Sequence, residues 1–66
     1  TKISKIGKNV EIGSYCIIED NVIIGDNTII KNFVELRENT IIGKNCVIDS
    51  RVSTSGNCKI GDKVTL

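Results

Sequence analysis

Val22-Ile23-Ile24-Gly25-Asp26-Asn27-Thr28-Ile29-Ile30 returns eighteen residues later as Thr40-Ile41-Ile42-Gly43-Lys44-Asn45-Cys46-Val47-Ile48. The stretch between them, Lys31-Asn32-Phe33-Val34-Glu35-Leu36-Arg37-Glu38-Asn39, keeps the same phase. The unit is six residues long. Counted in sixes from Ile6, the first position reads Ile6, Ile12, Ile18, Ile24, Ile30, Leu36, Ile42, Ile48, Thr54, Ile60 and Leu66, ten of eleven large and aliphatic. The second position holds Gly7, Gly13, Gly25, Gly43 and Gly61, and the fourth holds Asn9, Asn21, Asn27, Asn39, Asn45 and Asn57. The fifth position, from Val10 to Val64, is always Val, Thr or Cys. No insertion breaks the phase between Ile6 and Leu66. A fixed internal period of this kind defines the architecture before any local propensity does.

A helix would place apolar residues about 3.6 apart, and a simple strand would alternate without a break every six. A short strand followed by a turn accounts for the unit. The fifth position and the next first position are two apart, so in a strand they point the same way, inward, with the sixth position between them pointing out. The second to fourth positions make the corner. Gly and Asn gather there, and a sharp corner calls for positive φ, so both are expected to supply it.

Composition agrees. Thirteen Ile, six Val and five Thr make 24 of 66 residues β-branched, against two Leu and no Ala, Gln, Met, Pro, Trp or His. Branched side chains are stiff at χ1 and suit a pleated surface. A chain of 66 residues holds at most one small domain and is marginal by itself. Nine basic and eight acidic residues, net charge +1, exclude a strongly basic nucleic-acid surface. No apolar run approaches the roughly 20 residues of a membrane-spanning helix, so neither a nucleic acid nor a membrane is an expected partner.

These hexads resemble the hexapeptide-repeat transferase family, whose unit is an aliphatic residue, often Gly, two variable residues, a small residue and one more. The resemblance covers residues 6–66. It implies an all-β fold, a left-handed parallel β-helix with three hexads per triangular coil. The handedness follows from the resemblance, since crossovers between parallel strands are otherwise right-handed. At 18 residues per coil the chain makes about three and two-thirds coils, about 17 Å tall at roughly 4.8 Å each. The same spacing puts Gly7, Gly25, Gly43 and Gly61 in one column and Tyr15, Phe33 and Arg51 in another, which predicts stacked rings with a cation–π contact. Residues 1–66 read as a single β-helix segment, expected to be an internal piece of a longer chain because no polar capping element precedes Ile6 or follows Leu66.

Cys16, Cys46 and Cys58 all fall in the small inward position and read as buried small hydrophobes. With no His and no Cys-x-x-Cys pair there is no metal-ligand pattern, and free thiols fit a reducing cytoplasm. In the transferases that the chain resembles, a histidine is the usual general base. With no His, either the catalytic coil lies outside these 66 residues or the whole protein does something else, and a histidine-held zinc cannot reside here. Glu35, Arg37 and Glu38 form the least repetitive polar stretch. They are the candidate substrate-binding residues, with Arg37 on a phosphate; the alternative is a solvated charged face. Thr54 and Gly56 depart from the repeat, and Thr54 is expected to hydrogen-bond its own turn while the coil continues. The outward column carries Ile23 beside Ile41 and Ile29 beside Val47, apolar stripes that read either as β-propensity or as subunit contacts.

The resemblance implies an acyl-coenzyme A-dependent acyltransferase, an N- or O-acetyltransferase acting on a sugar nucleotide or amino sugar. Acetyl-CoA would be the co-substrate, no cofactor would be permanently bound, and the enzyme would work as a cytoplasmic homotrimer. Two other readings stand beside it: the accessory β-helix of a sugar-phosphate nucleotidyltransferase, and a non-enzymatic oligomerisation or spacer module.

Overall fold

A computed structural model describes residues 4–66; of the segment read as 1–66, the first three lie outside the described residues. Nine two-residue strands follow one another at intervals of the repeat. They are Lys5–Ile6 (β1), Glu11–Ile12 (β2), Ile17–Ile18 (β3), Ile23–Ile24 (β4), Ile29–Ile30 (β5), Glu35–Leu36 (β6), Ile41–Ile42 (β7), Val47–Ile48 (β8) and Lys59–Ile60 (β9). They pair in parallel as three sheets, β1-β4-β7-β9, β2-β5-β8 and β3-β6, here called the first, second and third faces. Every pairing joins residues eighteen apart, Ile23 to Ile41 and Ile29 to Val47 among them. Single bridges Glu35–Ser53 and Val47–Thr65 extend the third and second faces. The result is an all-β solenoid without a helix among the described residues, as the hexads predict.

Backbone hydrogen bonds run between coils, not within them. In a regular hexad the sixth- and second-position N–H groups donate to the next coil, as in Ile23 to Thr40 O and Gly25 to Ile42 O. The fourth-position N–H donates to the previous coil, as in Asn27 to Lys8 O. Third-position N–H groups find side chains of the next coil: Lys8 and Lys44 donate to Oδ1 of Asp26 and Asp62, and Ser14 donates to Oδ1 of Asn32. The buried Cys46 N–H donates to Thr28 Oγ1.

The core is the column of first and fifth positions. Ile24, Ile30, Leu36, Ile42, Ile48, Val22, Val34 and Cys46 are buried in it, with Thr28 and Thr40. Ile12 and Ile18 were expected in this set. Ile18 is only partly buried and Ile12 is exposed, because β2 and β3 lie in the lowest described coil and no described coil covers their underside. All three thiols are free, and those of Cys16 and Cys46 donate to the carbonyls of Lys31 and Gly61 at 3.0 Å.

The corners divide between Asn and Gly differently from the expectation. Every fourth-position residue, from Asn9 to Lys63, has φ between 57° and 64°, and no glycine has positive φ. Asn tolerates this left-handed region because its short side chain bonds locally. Glycine answers a different need. A Cβ on Gly25 would lie 2.6 Å from the backbone of Gly43 in the next coil, and one on Gly7 would lie 2.8 Å from Asp26 N. At Gly7 and Gly25 the coils approach too closely for a side chain, whereas Glu19, Lys31, Arg37, Asp49 and Ser55 hold second positions elsewhere.

Thr54 also behaves differently from the expectation. Its hydroxyl accepts from Arg37 N–H at 3.1 Å and bonds the Thr40 hydroxyl at 3.1 Å, so it serves the coil below and not its own turn. Elsewhere the matching second-position N–H reaches a first-position carbonyl, as Gly43 reaches Ile60 O. At Arg37 the hydroxyl takes that place. The aliphatic column can lose one member here because two threonines satisfy each other.

Candidate functional site

The corner between the third and first faces carries residues 19–21, 37–39 and 55–57 in successive coils. Its second positions are Glu19, Arg37 and Ser55, so side chains replace the glycine column found at the corner between the first and second faces. A cavity of about 560 Å³ opens here, lined by Ile18, Glu19, Asp20, Asn21, Glu38 and Asn39. The backbone that shapes it is fixed by Asn39 N–H on Asp20 O and Asn57 N–H on Glu38 O, with Asn21 and Asn39 at positive φ.

Of the three residues singled out from the sequence, Glu38 lines this cavity. Arg37 stands beside it and directs Nε at Glu19 Oε1, 3.2 Å away, in an exposed ion pair. Glu35 does not join them. It lies in β6 on the outward side of the third face, paired in register with Ile17 below and bridged to Ser53 above. The cavity wall is acidic, with Glu19, Asp20 and Glu38 together. An anionic phosphate would have to draw Arg37 away from Glu19, whereas a cationic amine or the hydroxyls of a sugar meet carboxylates directly. Glu19 and Asp20 were not singled out from the sequence, though the eighteen-residue spacing puts them under Arg37 and Glu38.

The opposite corner, between the second and third faces, carries the predicted aromatic stack. Tyr15 and Phe33 have ring centroids 5.4 Å apart and planes within 9°, and Arg51 Cζ lies 6.0 Å from the Phe33 centroid. Among the described residues no group of His, Cys, Asp and Glu is arranged to hold a metal ion. No described helix is long and apolar enough to cross a membrane.

The family model for the bacterial transferase hexapeptide, six repeats long, matches residues 3–38, more than half of the chain. The chain belongs to this hexapeptide-repeat transferase family, and its solenoid is the family's left-handed β-helix. The structure carries the same coil on to Leu66, beyond the matched repeats. No curated protein and no solved structure matches the chain significantly.

Proposed function

We propose that this β-helix belongs to an acyl-coenzyme A-dependent acyltransferase, an N- or O-acetyltransferase whose acceptor is an amino sugar or sugar nucleotide. The observation that carries the reading is membership of the transferase hexapeptide family across an unbroken run of coils. In the reaction the acyl group leaves the thioester sulfur for the acceptor nitrogen or oxygen, and a general base takes the acceptor's proton. The sequence holds no histidine, so that base comes from outside this segment. The segment's part is to wall a groove between neighbouring prisms of a homotrimer and to offer Glu38, with Arg37 beside it, to the acceptor. Acetyl-CoA acts as co-substrate, and the enzyme works in the cytoplasm. The acidic corner favours an amino sugar as acceptor, because carboxylates pair with an ammonium group.

The test uses the full-length protein with acetyl-CoA and a panel of amino sugars and sugar nucleotides. Acetylated product is read by mass, together with release of free coenzyme A thiol. Turnover with an amino sugar, with KM raised by Glu38→Gln, supports the reading. A protein that releases no coenzyme A with any acceptor overturns it.

A further inference from the structure

One step of the ladder differs from all the others. Eight second-position N–H groups have a described coil above them, and seven donate to the first-position carbonyl of that coil at 2.8–3.1 Å. The eighth, that of Arg37, donates to the Thr54 hydroxyl at 3.1 Å. The Thr54 carbonyl thus receives no N–H from the coil below, in a residue only 8% exposed. The residue type is itself a departure, since ten of eleven first positions are large and aliphatic. A buried hydroxyl and a carbonyl removed from the ladder cost stability unless they are matched. The Thr40 hydroxyl, 3.1 Å away, limits that cost, yet an isoleucine would not incur it. Two residues on, Gly56 is the one third-position residue without a side chain. Its φ is not positive, and a Cβ there would meet only Glu38, the carbonyl O at 3.5 Å and Cγ at 3.6 Å. Neither the dihedral nor a clash calls for glycine; the room it leaves lies over Glu38. Both departures therefore bear on one dipeptide, Arg37-Glu38, at the corner that carries the acidic cavity. Breaches of a local rule that gather at one place mark a site where function outweighs regularity.

We propose that Thr54 is a positioning residue for the acceptor: its hydroxyl holds the Arg37 N–H and thereby sets the Glu38 carboxylate for the ammonium group of an amino sugar. The inference rests on the proposed function and deepens it. One coil down, at the same corner, the Glu19 N–H meets Leu36 O at 3.0 Å, so main chain alone places that peptide. At Arg37 the acceptor is a side chain, and the Arg37-Glu38 peptide follows the hydroxyl in place of the ladder. Arg37 directs Nε to Glu19 in the coil below, while Glu38 lines the cavity under the room left by Gly56. A carboxylate held in this way gives an ammonium group a charge-assisted hydrogen bond, and its strength depends on where the carboxylate stands.

Four variants of the full-length protein separate positioning from support of the coil. Glucosamine and galactosamine are the probes, titrated by calorimetry so that binding is read without turnover. Thr54→Val removes the hydroxyl and keeps the outline of the side chain. Combined with Thr40→Val it removes the partner as well, a paired exchange that leaves stability nearly unchanged. Amino-sugar affinity should fall at least tenfold in both, the loss expected of one charge-assisted hydrogen bond, while KM for acetyl-CoA stays within about twofold. The melting temperature of the double variant should hold. Thr54→Ser should bind within about threefold of the parent. Thr40→Val breaks the hydroxyl pair but leaves Thr54 on Arg37, and should do the same. A double variant that binds as the parent does overturns the proposal, and so does one that fails to fold. Equal losses in Thr40→Val and Thr54→Val, a Thr54→Ser variant as weak as Thr54→Val, or a parent protein that binds neither sugar also overturn it. Binding that follows the expected pattern in a protein releasing no coenzyme A would sink the acyltransferase reading and leave this role standing. Amino-sugar acetylation untouched by Thr54→Val would do the reverse.

Discussion

Glycine and asparagine look interchangeable in a turn, and this chain assigns them different work. Asn at the fourth position carries the left-handed backbone; Gly at the second position clears space for the adjacent coil. The difference is measurable. Gly25→Ala pushes a methyl group into the Gly43 backbone, which cannot swing aside as a side-chain tip can, and should destabilise the protein by about 1–3 kcal/mol. At Gly56 the same change meets nothing closer than 3.5 Å, and its φ is not positive. Gly56→Ala should be neutral or stabilise by about 0.4–1 kcal/mol through the unfolded chain. Denaturant melts of the two variants check the contrast. If Gly56→Ala costs as much as Gly25→Ala, clearance is not what the second-position glycines provide.

Each strand is only two residues long, one facing out and one facing in, so neighbouring positions should respond to the same substitution in opposite ways. Ile30→Lys puts an unpaired charge into a site 1% exposed and should abolish the β signal in circular dichroism. Ile29→Lys with Val47→Lys alters the outward side of the same face and should leave that signal intact while dissociating the assembly. Each branched side chain buried at such a contact contributes roughly 1.5–3 kcal/mol. Sedimentation unchanged in the outward pair would make those isoleucine and valine positions matters of β-propensity alone. The columns behind these predictions were legible in the sequence because a repeat of eighteen turns linear spacing into contact. The same spacing sets Phe33 over Tyr15 and Ile41 over Ile23. Three details were not legible. Spacing carries no information on clearance, so the glycines were given a dihedral role. It does not mark which coil lies at an edge, so Ile12 was expected to be buried. Nor does it show that Thr54 reaches a coil below, where Arg37 and Thr40 wait. At the candidate site Arg37 and Glu38 stood out as departures from the repeat, but their partners Glu19 and Asp20 emerged only when the corner was seen as a stack.

Among the described residues the solenoid has a lower edge formed by β1, β2 and β3, each paired on one side only. Ile6 and Ile12 are exposed beside that edge. Parallel edges of this kind recruit other strands. Expressed by itself, the chain should therefore aggregate or remain unfolded, and it should transfer no acyl group because it contains no histidine base. Light scattering and circular dichroism check the first expectation. A monomer that unfolds cooperatively would overturn it.

The coil-to-coil hydrogen bonding has a consequence for how such a protein can change length. Every regular hexad presents the same donors and acceptors to its neighbours, so the backbone cannot distinguish one hexad from the next. Six extra residues after Ile30 would leave the ladder satisfied yet move every later outward side chain round by one face. Eighteen extra residues would return each to its own face. Folding thus tolerates growth in sixes, whereas a contact made through one face would tolerate it only in eighteens. A six-residue duplication should give a well-folded protein with no partner, and an eighteen-residue duplication a taller one that still assembles. Evolution by tandem duplication would then change partners abruptly, through a turn of the prism, without altering a single surface residue.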